Sequence, residues 1–264
     1  MPAFLRYLTC VGVLFLTPFT ALADWNIHWK KLADDMEIAQ LQISSTPLLS
    51  TQVTLIRTQL KRYKLRVIYS KKYGRSRSTV KELALQSNAL VAINASFFDE
   101  YGKALGVVIS NGRMLNRLHR GGSTLTGILA VSNNSVEIIR RDYFNPINVI
   151  EAVQAGPLLI EKGRAVKGLR NADELSRRSA VCIDEKNRFL LIFVSSNFVG
   201  ASFKQLQQIA LNNNVQCRTA LNLDGGGSAQ LYVSKKLPGA ARGIREISVP
   251  GRDPVPVVLG LFLR

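Results

Sequence analysis

The chain has 264 residues, 47% of them hydrophobic and 20% charged, with 35 Lys and Arg against 18 Asp and Glu. That apolar content excludes a disordered chain and suffices for one substantial core. A formal charge of +17 points toward anionic partners, and no stretch beyond the N-terminus is long and apolar enough for a membrane helix.

Residues 1–23 read as a signal peptide. Arg6 supplies a weakly positive start, Leu8–Leu16 a short apolar stretch, Pro18 a break, and Ala21-Leu22-Ala23 a small-residue cleavage site. An uncleaved N-terminal anchor is the alternative. Cys10 lacks the small residue that would precede a lipidated cysteine. Cleavage before Asp24 removes one cation, Arg6, and no acid, leaving 34 basic against 18 acidic residues, a charge of +16. Export is the expectation, to the periplasm rather than the medium.

Residues 24–264 hold no linker, repeat or low-complexity tract, so one domain is expected. Met36–Ile43 and Gln52–Thr58 alternate as strands, and Leu65–Ser70 is apolar and β-branched. Thr79–Ser87 has helical spacing, with Ser78 or Thr79 as N-cap. Ala89–Phe97 reads as a buried strand. Leu105–Leu115 contains Asn111-Gly112, a strong hairpin signal, and Gly127–Arg140 repeats the pattern around Asn133-Asn134. Ala180–Ser195 reads as two strands joined at Glu185–Asn187, Phe203–Leu211 as a helix capped by Ser202, and Val255–Leu263 as a closing strand. The fold class predicted is α+β, on a large mixed, mainly antiparallel sheet with two or three helices.

Arg57–Lys81 carries ten Lys and Arg and no acid, with Tyr63, Tyr69 and Tyr73 interleaved. Such a patch suits phosphate-bearing polymers or an anionic envelope surface; a plain solvated face is the equal alternative. No nucleic-acid-binding motif is present, and nucleic acid is not the expected partner. Cys182 and Cys217 either pair in an oxidising compartment or stay as buried thiols. With His28 and His119 as the only histidines and no CxxC, a zinc site of the usual kind is not expected.

The most informative segment is Ala220–Val233, ALNLDGGGSAQLYV. An apolar run ends at Asp224, then Gly225, Gly226 and Gly227 remove every Cβ from the loop, so its backbone can approach another molecule closely. Ser228 adds a hydroxyl. The pattern suits a small phosphate or sugar site, and it is neither a dinucleotide fingerprint nor a P-loop. Three other segments place polar residues at strand ends: AINASFFD with Asn94 and Asp99, VQAGPLL with Gln154, Gly156 and Pro157, and RRSAVCI with Arg177 and Arg178. Taken singly, each has a structural reading as a cap, a turn, a surface charge or a bulge.

In this order, the four segments resemble the phosphodiester glycosidase family from about Val53 to Leu263, with NLDGGGS at Asn222–Ser228 the most specific motif. Ala95 stands where the family often has glycine, and Ser179 where a threonine often follows the arginine. The resemblance implies cleavage of the bond between a sugar and its phosphodiester. The departing phosphate needs a cation more than a proton, and Arg178, with Arg177 in reserve, is assigned to it. The amides of Gly225–Gly227 could form a nest for the same group. Asp224, with Asp99 second, would stabilise the oxocarbenium or activate water. Asn94, Gln154 and Ser228 would hold sugar hydroxyls. Asp224 and Asp99 could alternatively hold Ca²⁺ or Mg²⁺. The competing readings are a non-catalytic module that holds an anionic glycan and a scaffold that contacts anionic lipid through Arg57–Lys81.

Overall fold

The computed structural model describes residues 25–264, apart from 47, 48, 134 and 196–198. The signal peptide read at 1–23 and the turn residue Asn134 lie outside the described residues.

The strands form three sheets, and every ladder is antiparallel. The eight-stranded sheet orders its strands Lys30–Ala33, Met36–Thr46, Leu49–Thr58, Phe189–Ser195, Arg178–Asp184, Cys217–Asn222, Leu158–Glu161 and Arg164–Ala165. One five-stranded sheet runs Ile247–Val249, Leu231–Val233, Val91–Asn94, Val257–Leu263 and Tyr63–Tyr69, the last at its edge. The other runs Arg113–Asn116, Val108–Ser110, Glu151–Ala155, Gly127–Val131 and Val136–Arg140. The α+β expectation holds, with two α-helices inserted.

All three sheets turn apolar residues into one central core, which joins Ile56, Phe189 and Val181 with Val67, Ile93 and Leu259 and with Val108, Leu129 and Val153. Strands buried on both faces split their side chains by alternation. In Phe189–Ser195, Phe189, Leu191 and Phe193 enter this core, while Leu190, Ile192 and Val194 enter a second one on the sheet's outer face. The Phe203–Leu211 helix covers that outer face with Phe203, Leu206 and Ile209. The Val80–Ser87 helix similarly covers the outer face of the Val91–Asn94 sheet.

Both helices start with a capping box. Thr79 accepts from the Glu82 N–H while Glu82 accepts from the Thr79 N–H, and Ser202 and Gln205 do the same. Cys182 and Cys217 lie on adjacent strands and form a disulfide, which resolves the alternative left open by the sequence. The hairpin at Asn111-Gly112 has φ of 49° and 74°, the left-handed pair that a two-residue turn requires.

Candidate active site

Asp224 follows the Cys217–Asn222 strand and opens the glycine loop. Its backbone N–H donates to the Ala95 carbonyl at 3.0 Å. Its carbonyl accepts from Asn94 Nδ2 at 2.7 Å. Its Oδ1 accepts from the Gly225 N–H at 2.9 Å. Burial pushes the Asp224 carboxyl up to about 6 from 3.8, against the opposing pull of the Ser228 hydroxyl and the Gly225 N–H, and the Asp253 charge adds to the rise.

The carboxyl faces a cleft of about 420 Å³ whose walls include Gly156, Asn222, Gly225, Gly226, Glu174 and Arg178. Arg178 is 9% exposed. Its Nε donates to the Ala201 carbonyl at 3.1 Å and one terminal nitrogen to the Glu174 carbonyl at 2.7 Å. The guanidinium carbon lies 4.1 Å from the centre of the Phe203 ring, so the first residue of the outer helix braces the cation. No carboxylate pairs with Arg178 among the described residues, and burial lowers its pKa. The Glu174 charge acts on Arg178 but forms no ion pair with it, so a buried cation and a part-buried acid share one cleft, an arrangement open to an anion.

Gly156 lines the same cleft and forms a cis peptide with Pro157. A Cβ there would overlap the Thr124 carbonyl, so glycine is required by close approach of the 123–126 segment. The Gly156 carbonyl accepts from Asn222 Nδ2 at 2.8 Å. The Asn222 amide oxygen is buried and without a hydrogen-bond partner among the described residues.

Other predicted site residues take different places. Asn94 is fully buried, and its oxygen accepts from Ser179 Oγ at 2.6 Å and from the Gln230 N–H at 3.1 Å. It holds the Asp224 backbone and does not reach out to a ligand. Gln154 is also fully buried. It accepts from the Val107 and His119 N–H groups and donates to the His119 and Leu125 carbonyls, so its whole amide ties down the 119–125 segment. The expectation that these two amides hold sugar hydroxyls is therefore corrected: both are committed to the framework.

Arg177 turns away from the cleft. It donates to the Ala229 and Pro250 carbonyls at 2.7 Å each and so straps the 250–253 loop to the glycine loop. Burial lowers its pKa, with the charge of Arg252 adding to the effect. Asp99 is not in the cleft either. Its Oδ1 caps the Tyr101 and Lys103 N–H groups within its own turn. The acid whose charge reaches Asp224 is Asp253, whose carboxylate sits where a Cβ on Gly227 would go. The pairing of Asp224 with Asp99 around Ca²⁺ or Mg²⁺ is thus not assembled, and no three His, Cys, Asp or Glu side chains cluster for a metal among the described residues.

The nest is also partial. The Gly225 N–H is turned to Asp224 and the Gly226 N–H donates to the Arg177 carbonyl at 2.9 Å. Ser228 is 5% exposed and supports the Asp224 carboxylate rather than lining the cleft. Sequence reading missed Glu174, Arg170, Asn171 and Phe203 in the cleft wall. The first three lie in a polar loop with no pattern of its own, and Phe203 reads as an ordinary helix residue.

Strand ends, a glycine loop, a part-buried acid and a buried cation thus meet at one cleft. The chain matches the family model described as phosphodiester glycosidase over residues 87–262, and it belongs to that family. N-acetylglucosamine-1-phosphodiester alpha-N-acetylglucosaminidase of Bos taurus is 29% identical over 191 residues, covering 62% of this chain and 35% of that protein. The protein YigE of Escherichia coli (strain K12) is 29% identical over 128 residues, covering 45% of this chain and 50% of the relative. The chain therefore spans between a third and a half of the length of these relatives. The catalytic domain of the zebrafish N-acetylglucosamine-1-phosphodiester alpha-N-acetylglucosaminidase superposes with a TM-score of 0.65 at 18% identity, over 90% of this chain and 88% of that one. A hypothetical protein from Synechocystis gives 0.59 at 18% identity, over 90% and 64%. At such identities the likeness shows a shared fold.

Proposed function

We propose that this protein is an exported hydrolase that cleaves the glycosidic bond of sugar-1-phosphodiesters in an envelope or extracellular glycan. The observation that carries the reading is the placement of Asp224 and Arg178 on one cleft, an acid pushed up to about 6 and a buried cation with no ion-pair partner among the described residues. At neutral pH the Asp224 carboxyl is chiefly ionised. That state suits stabilisation of an oxocarbenium centre or activation of water, not donation of a proton. The leaving phosphate monoester departs as an anion, so Arg178 supplies the stabilisation that an ordinary glycosidase draws from a general acid.

The apolar N-terminal stretch and the Cys182–Cys217 disulfide support export to an oxidising compartment, with the periplasm favoured. One observation favours a non-catalytic module for anionic glycans instead: the second predicted acid, Asp99, lies outside the cleft. Turnover separates the two readings. Free sugar is measured after incubating a panel of sugar-1-phosphodiesters with the protein and with Asp224→Asn, with and without added Ca²⁺ or Mg²⁺. Release by the parent that is lost in the variant supports the hydrolase. Binding of the same esters without release by either protein supports the module.

A further inference from the structure

The basic stretch Arg57–Lys81 separates into two populations. Arg57, Arg62, Arg75 and Lys81 are neutralised by Glu37, Asp34, Glu82 and Glu246 from other parts of the fold. Lys61, Lys64, Arg66, Lys71, Lys72 and Arg77 take part in no ion pair among the described residues, and neither do Arg113 and Arg264 beside them. All of these but Lys71 and Arg77 line two cavities outside the Asp224 cleft. Lys61, Lys64 and Arg264 border one of about 1010 Å³. Arg66, Lys72 and Arg113 border another of about 490 Å³, whose walls also carry Tyr69, Tyr73 and Phe262.

Both cavities lie along one element, the Tyr63–Tyr69 edge strand. Lys64 and Leu65 border the first and Arg66 through Tyr69 the second. Lys64 and Arg66 are two residues apart on a strand, so their side chains leave the same face. Seven residues at strand rise give a track on the order of 20 Å. Glu137 is the one acid in the lining of either cavity. Glu151, near Arg66, is 2% exposed and turned inward, where it accepts from the Val67 and Asn111 N–H groups. Its charge reaches Arg66, but it is tied to those two N–H groups and forms no ion pair with the track. Val258 pairs with both Ile68 and Asn94, so the Tyr69 end is level with the amide that holds Asp224.

We propose that this edge is a track for a polymeric substrate, a chain of sugars joined by phosphodiesters that lies along Lys64 and Arg66 while one unit enters the Asp224–Arg178 cleft. The proposal rests on the glycosidase reading and names its substrate class. Cations spaced along two cavity walls suit the spaced phosphates of a chain, and Tyr69 and Tyr73 in the second wall suit sugar faces. A bilayer surface would instead need the charges on a flat or convex face.

The test compares the parent with Lys64→Gln/Arg66→Gln and Lys72→Gln/Arg113→Gln. Each is assayed on a linear poly(glycosyl 1-phosphate) and on the single-unit phosphodiester of the same sugar, with equilibrium binding of the polymer and of phosphatidylglycerol vesicles measured in parallel. Both double variants should lose about tenfold in kcat/KM and in affinity for the polymer, more at low salt, with single-unit turnover unchanged. Polymer binding and turnover unaffected in both variants would overturn the proposal. So would loss on the single unit to the same degree, or loss of vesicle binding alone. If no substrate is turned over but polymer binding still weakens in the variants, the track stands and the catalytic reading fails. Circular dichroism and thermal melting of these exposed-site variants exclude misfolding as the cause.

Discussion

The flank of the eight-stranded sheet and the cleft at the strand ends are built on opposite principles. On the flank, long strands alternate between two cores, a capped helix seals the outer face, and the Cys182–Cys217 disulfide ties two neighbouring strands. In the cleft, single residues arrive from several loops, a glycine admits close backbone approach, and an acid and a cation are both held against their preference for water. The contrast shows where stability is produced and where it is drawn down. The sheet and its cover supply it, and the cleft opposes folding for the sake of its electrostatics.

Substitution of Asp224 should sharpen that contrast most. Asp224→Asn is expected to lower kcat by about a thousandfold or more. It should also stabilise the fold. Because the folded carboxyl titrates near 6 and the unfolded one near 3.8, the native state keeps a proton that the unfolded chain has lost between those values. The parent therefore loses stability as pH rises through that window, on the order of 3 kcal/mol in full. Calorimetry should find the variant more stable than the parent at pH 8, with the gap closing by pH 4. Parent activity should fall as pH drops through about 6. A variant destabilised at both pH values would break the comparison.

On the flank, Cys182→Ser/Cys217→Ser should cost about 3–4 kcal/mol in urea unfolding, given the 35-residue separation. The protein still folded should turn over sugar esters at the parent rate. Returning to the cleft, Arg178→Lys keeps the charge but cannot span both the Ala201 and Glu174 carbonyls. It should reduce kcat/KM by about a hundredfold with little change in melting temperature. The smallest effect belongs to the boundary between the two regions. Gln154→Glu loses both donors to the His119 and Leu125 carbonyls and should cost about 2 kcal/mol, with KM raised more than kcat is lowered.

Regular elements were legible where a period ran long enough. Phe203–Leu211 appears with the predicted bounds and cap, and the predicted Gln52–Thr58 strand extends back to Leu49. The predicted Ala180–Ser195 pair is the Arg178–Asp184 and Phe189–Ser195 hairpin. The predicted Ala89–Phe97 strand shortens to Val91–Asn94, because the chain then leaves the sheet to meet the Asp224 backbone. The turn reading of VQAGPLL holds at the cis Gly156-Pro157 bond, but the residues on either side are two strands, Glu151–Ala155 and Leu158–Glu161, in different sheets. Residue type alone cannot tell which sheet a short strand joins. Asp224 and Arg178, singled out by motif position, line one cleft. Asn94 and Gln154 were found as important but given the wrong partners, since an amide suited to a sugar is equally suited to a backbone. Asp253 and Glu174 meet the site only through tertiary packing.

The three bonds of Asn94 have an evolutionary consequence. One amide side chain joins Ser179 of the eight-stranded sheet, the Gln230 N–H beside the Leu231–Val233 strand, and the carbonyl of Asp224. The Asp224 carboxyl is thereby anchored to the fold's interior, whereas Arg170, Asn171 and Ser123 border the opening from loops. A lineage can exchange those rim residues and so reshape the opening while the Asp224 carboxyl keeps its posture. Variation at the mouth over a fixed interior is a route by which one scaffold changes the ligands it admits.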